Sequence, residues 1–141
     1  DMIYNYNTIA QGYKPKSIVL YVENDLGSHK EGVNAVKCFD LFRIFIARLK
    51  KDYPTTPLFV VSLKPSQHKA DQLKDQLLVN ALLEENATAQ GYTYIDITKV
   101  MYDEAGNLRT DIFKEDNLHM NAEGYKLWTA IIKPYLTAVK K

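Results

Sequence analysis

Cysteine is almost absent from this chain of 141 residues: Cys38 stands alone. That excludes an intramolecular disulfide framework, and its place in an apolar helical pattern makes it a small core residue. No apolar run approaches the ~20 residues of a membrane span, and no signal peptide is visible. The sequence opens at Asp1-Met2-Ile3-Tyr4 without an initiator methionine, so a removed leader stays open, and the compartment with it. An excess of charge of one sign is also missing, with 18 Lys and Arg against 17 Asp and Glu and a net charge of +1. The two signs are interspersed, which removes the electrostatic footprint of a nucleic-acid binder. The closing Lys140-Lys141 reads as a solvated tail. Gly27 and Gly32 flank Ser28-His29 without a GxGxxG or GxxxxGK pattern, so no dinucleotide or other cofactor is expected. His29, His68 and His119 lie far apart and lack ligand spacing such as HExxH or CxxC, so no metal is expected either.

What is present is an ordinary globular composition, 46% hydrophobic and 25% charged, and one domain over residues 1–141. Ser17-Ile18-Val19-Leu20-Tyr21-Val22 is a short β-branched run after Pro15 and predicts a strand buried on both faces. From Gly32 to about Lys51, Val36, Phe39, Phe42, Ile46 and Leu49 recur at helical spacing, widened by Leu41 and Phe45, and Pro54 ends the pattern. Leu58 to Leu63 repeats the buried-strand signature. Lys64-Pro65-Ser66 breaks it before a second helix whose Leu73, Leu77 and Ala81 share a face, with Gly91 as its C-terminal cap. Tyr92 to Asp96 is a third strand, followed by a turn at Asp103-Glu104-Ala105-Gly106-Asn107. Asn121 is the expected N-cap of a last helix carrying Leu127, Trp128, Ile131 and Ile132, which Pro134 should stop or kink. Strand–helix alternation of this kind predicts an α/β domain with a parallel sheet.

In such sheets chemistry gathers beyond the carboxyl ends of the strands. Asp116-Asn117-Leu118-His119-Met120 places a carboxylate three residues ahead of a histidine. Taken alone, the pair reads equally as a helix cap with a surface histidine or as the orienting carboxylate and base of a charge-relay arrangement. Asn24, after the first strand, reads as a turn former or as an amide donor to an oxyanion, and Asp25 as a residue closing that turn. Ser28 and Ser66 read as loop or cap residues, because neither lies in the tight strand-to-helix turn that exposes a nucleophile.

Together, Val22-Glu23-Asn24-Asp25 after one strand, Lys64-Pro65-Ser66 after the next, and Asp116 to Asn121 before a helix with Gly124-Tyr125 and Trp128 resemble the SGNH, or GDSL, hydrolase family. The resemblance runs from about Lys14 to Leu136. It implies a flavodoxin-like three-layer α/β sandwich with a parallel sheet. It also implies an esterase or lipase activity dependent on a serine nucleophile. Carried over by motif, His119 is the general base, Asp116 its orienting carboxylate and Asn24 an oxyanion-hole donor. Val22 stands where the family's asparagine block has glycine. The family's nucleophile-serine turn and oxyanion-glycine block find no counterpart, so the chain is expected to hold three of the family's five strands, roughly its C-terminal two-thirds.

Two functional classes follow. The first is part of an ester hydrolase acting on O-acyl or O-acetyl esters, a small-molecule ester or an acylated carbohydrate. The second is a non-catalytic remnant serving as a binding or assembly module. In both, loss of the neighbouring strand leaves Ser17 to Val22 as a long apolar edge, which predicts covering by the N-terminal segment or by a homodimer.

Overall fold

Short apolar runs alternating with amphipathic helices bury their apolar surfaces together when the helices lie against a sheet. The computed structural model describes residues 2–22, 26 and 33–139. Its strands β1 (Ile18–Leu20), β2 (Leu58–Val61) and β3 (Thr93–Ile95) form one parallel sheet in the order β1-β2-β3. Val19 is in register with Phe59, and Val60 with Tyr94. Helices α1 (Tyr6–Ala10), α2 (Ala35–Asp52) and α3 (Leu73–Gln90) share a core with Leu20, Leu58 and Val60 on one side of the sheet. On the other side, α4 (Ala122–Ala138) and the connection before it cover Phe59, Val61 and Ile95 with Trp128, Met101, Ile112, Phe113 and Met120. This is the expected three-layer, flavodoxin-like α/β arrangement.

The central strand β2 is buried throughout, as its apolar run predicts. The first strand departs from expectation. It is shorter than Ser17–Val22, and Val19 is 40% exposed. Val19 shares the face of Phe59, which α4 covers through Tyr135 at 6.1 Å ring to ring. That cover reaches the end of the edge strand, where Trp128 meets Tyr21 at 5.0 Å ring to ring, but leaves Val19 exposed. Among the described residues no strand pairs with the outer side of β1.

Helix α2 begins at Asn34, whose side chain accepts from the Lys37 amide at 2.9 Å; the expected start at Gly32 lies outside the described residues. Its buried stripe contains Ala35, Cys38, Phe39, Phe42, Phe45, Ile46 and Leu49, whereas Val36 and Leu41 turn to solvent. Segment α1 docks on it: Tyr6 meets Phe45 edge-on at 5.4 Å, the Arg48 guanidinium lies 4.0 Å from the Tyr6 ring, and the Tyr53 hydroxyl donates to the Ala10 carbonyl. Burial, followed by the nearby Asp52, pushes the Tyr6 phenol well above its usual range.

The face assigned to α3 is the largest correction. Leu77 is exposed, and Gln76, Val79, Asn80 and Leu83 point inward. The reason is polar. Asn80 accepts from the Leu63 amide at 2.7 Å and donates to the Leu63 carbonyl at 3.1 Å, satisfying the backbone just past β2. An inward asparagine inverts a pattern read from leucines. Gly91 caps α3 at φ 74°, as expected.

Pro134 neither stops nor ends α4, which runs on to Ala138. The carbonyl of Ala130 loses its helical N–H partner there. The Thr137 hydroxyl donates to the Lys133 and Pro134 carbonyls one turn later. Lys140 and Lys141 lie outside the described residues.

Candidate active site

The site begins with a turn. One oxygen of Asp116, Oδ1, accepts the Leu118 and His119 amides at 2.9 Å each, so its carboxylate folds the backbone back on itself. Asn117, at the corner, takes φ 52°, a left-handed conformation that asparagine tolerates better than most residues. The second oxygen, Oδ2, lies 2.6 Å from His119 Nδ1. The hydrogen bond from His119, with those from the two amides, holds the Asp116 carboxyl well below the usual carboxylate range. An ionised carboxylate only accepts, so Nδ1 carries the proton and Nε2 the lone pair. The His119 side chain is 64% exposed, leaving Nε2 open to an approaching group. Such an imidazole is a base with a fixed tautomer.

The connection around the turn is tied on itself. The Lys114 amide donates to the His119 carbonyl at 2.8 Å, Phe113 and Met120 form an antiparallel bridge, and the Asn121 amide donates to Ile112 at 3.0 Å. Asn121 also donates through Nδ2 to the Asp111 carbonyl at 2.7 Å while its Oδ1 accepts from Glu123 and Gly124. Asn121 is therefore the N-cap of α4, as the sequence predicts, and the cap reading of Asp116 falls away. Gly124 permits the closeness of helix and loop. A Cβ there would lie 2.6 Å from the Ile112 carbonyl oxygen.

The turn reaches the carboxyl end of β2. The His68 amide donates to the Asn117 carbonyl at 3.3 Å, and the Lys64 ammonium to the Leu118 carbonyl at 2.5 Å. Asp116 and His119 are thus brought together at the sheet edge where α/β ligands bind. Asn24, the third expected site residue, lies outside the described residues, as do Asp25, Ser28 and His29; Val22, two positions beyond β1, is described. Among the described residues no serine hydroxyl is hydrogen-bonded to His119. Ser62 is buried and accepts from the Ile97 amide at 3.1 Å. Ser66 is a buried loop residue just before a 3-10 segment, Gln67–Gln72, and of its two expected roles, loop or cap, it fills the first, since its side chain makes no cap bond. Among the described residues there is no cluster of three or more His, Cys, Asp or Glu, and no helix long and apolar enough to cross a membrane.

Three supports of the turn were not assigned from sequence. Asn117 and Gly124 carried a readable signal, an asparagine and a glycine where the chain must turn tightly or pack closely. Lys64 carried none, because lysine after a strand is ordinarily exposed.

No protein-family model and no curated protein matches this chain. Solved structures do resemble it. A protein designated an acylhydrolase, from Bacteroides fragilis, matches 99% of this chain with 69% of its own, at a TM-score of 0.82 and 14% identity. One designated a platelet activating factor, from Streptococcus pneumonia, matches 96% of this chain with 66% of its own, at 0.79 and 22% identity. A GDSL-like lipase from Bacteroides thetaiotaomicron matches 98% of this chain with 68% of its own, at 0.72 and 20% identity. The chain spans about two thirds of the length of these structures. At such identities the likeness is one of architecture, and on it this chain has the fold of the SGNH, or GDSL, hydrolases.

Proposed function

We propose that this chain supplies the base half of a serine-dependent ester hydrolase acting on O-acyl esters, O-acetyl esters of small molecules or carbohydrates among them. The observation that carries the reading is the 2.6 Å contact between His119 Nδ1 and Asp116 Oδ2 at the sheet's carboxyl edge, with Nε2 open. In this reading Nε2 removes the proton of a serine hydroxyl as its oxygen attacks the ester carbonyl, and Asp116 stabilises the imidazolium that forms. Asn24 donates to the oxyanion of the tetrahedral intermediate. The imidazolium then protonates the departing alkoxide, leaving an acyl-enzyme that water, activated by the same nitrogen, hydrolyses. The serine belongs to a part of the protein outside these 141 residues. The length of the structural relatives, of which this chain spans about two thirds, supports that assignment.

The test is turnover of an activated acetyl ester by the native gene product and by its His119→Ala variant. The variant is expected to lose at least about 10³-fold in kcat. Equal rates would sink the reading. A second reading, an assembly module, is favoured by the outer side of β1, which no strand pairs among the described residues, and by the exposure of Val19 upon it.

A further inference from the structure

Surface carboxylate–imidazole pairs are ordinarily loose, because ordering two exposed side chains costs entropy that a screened attraction barely offsets. The Asp116–His119 pair has both side chains about half exposed, so its order has to come from the backbone beneath it. That backbone is the peptide joining Leu118 to His119. Its N–H points at the Asp116 carboxylate at 2.9 Å, and its C=O accepts from the Lys64 ammonium at 2.5 Å. A peptide unit is a dipole with its positive end at N–H and its negative end at C=O. Here each end meets an ion of opposite sign. Turning this peptide would break both bonds together, so the root of the imidazole is held against rotation.

Lys64 is well placed to transmit that hold. It is 6% exposed, three residues beyond β2, the central strand, and its ammonium lies 5.9 Å from the centre of the Phe113 ring. Phe113 in turn bridges Met120, the residue after His119. A buried ammonium requires strong compensation, and part of it comes from the carbonyl that precedes the base. We infer that Lys64 is a positioning residue for His119, clamping the Leu118–His119 peptide so that Nδ1 stays on Asp116 and Nε2 stays the basic nitrogen.

The inference rests on reading His119 as the general base, but its test needs no turnover. Nitrogen-15 spectra of the imidazole report which nitrogen bears the proton. The unmodified protein is expected to show one tautomer, with the proton on Nδ1. Lys64→Met, which keeps the length of the stem and removes the charge, is expected to lose the low-field Nδ1 proton signal and show a mixture of tautomers. Leu83→Ala loosens the core of α3 without touching the turn and is expected to leave the signal in place. A retained single tautomer in Lys64→Met, or a mixture in Leu83→Ala as well, would overturn the inference. Should Lys64→Met fail to fold, scalar coupling between the Lys64 ammonium and the Leu118 carbonyl in the unmodified protein decides it, absence being the overturning result. A protein that turns over no ester would remove the proposed function and leave these readouts intact.

Discussion

A histidine is a directed base when one ring nitrogen is committed elsewhere, and Asp116 makes that commitment here with both of its oxygens engaged. Asparagine at this position could still accept the two amides through its oxygen. Its NH₂ would face Nδ1, however, and force the proton onto Nε2. Asp116→Asn is therefore expected to keep the turn and lower kcat on the order of 10⁴-fold. The carboxylate also sets an acid limb of stability. Its pKa is depressed in the folded protein from 3.8, so its contribution is fully present above that value and is lost as pH falls through the folded value. The gap in Tm between the parent and Asp116→Asn should close as pH falls below 3.8. Thermal melts from about pH 5 downwards check this, and a gap that persisted undiminished at the acid end would contradict it. The pair was legible in the sequence because a carboxylate and an imidazole three residues apart lie within one turn. Lys64 was not, because its role depends on a carbonyl 54 residues away that no local pattern announces.

At the scale of elements, legibility followed how each one is stabilised. Strand β2 and helix α2 are held by apolar burial, and their periodicity showed it. Helix α3 turns Asn80 inward to serve the backbone of Leu63, a long-range demand that hydrophobic spacing does not record. The join of α4 to the candidate site is tighter still. Alanine at position 124 would favour the helix by ~1 kcal/mol. Its Cβ would also sit 2.6 Å from the Ile112 carbonyl oxygen, which already accepts from the Asn121 amide. That carbonyl cannot retreat without releasing the cap of α4, so overpacking of roughly 1–3 kcal/mol prevails. Gly124→Ala is expected to lower stability in urea titrations, and a more stable variant would show that the contact yields.

For the molecule as a whole, the open demand is the outer side of β1, which no strand pairs among the described residues. An edge strand with unpaired backbone groups and an apolar side chain at its centre is a template for another strand, and proteins usually blunt such edges with charge, a bulge or a cover. Of the two covers the sequence suggested, the described N-terminal segment is used elsewhere: α1 packs on α2 through Tyr6, Arg48 and Tyr53. Val19, in register with Phe59, remains exposed, as does Tyr135 against the Phe59 ring. The 141-residue chain is therefore expected to associate through β1, with a sedimentation coefficient that rises with concentration. Val19→Lys places a charge on that edge and should hold the chain monomeric, at a cost in stability within about 0.5 kcal/mol, as for most exposed sites. A parent chain that stays monomeric at every concentration would mean that the edge is tolerated bare, and would remove the observation favouring an assembly module.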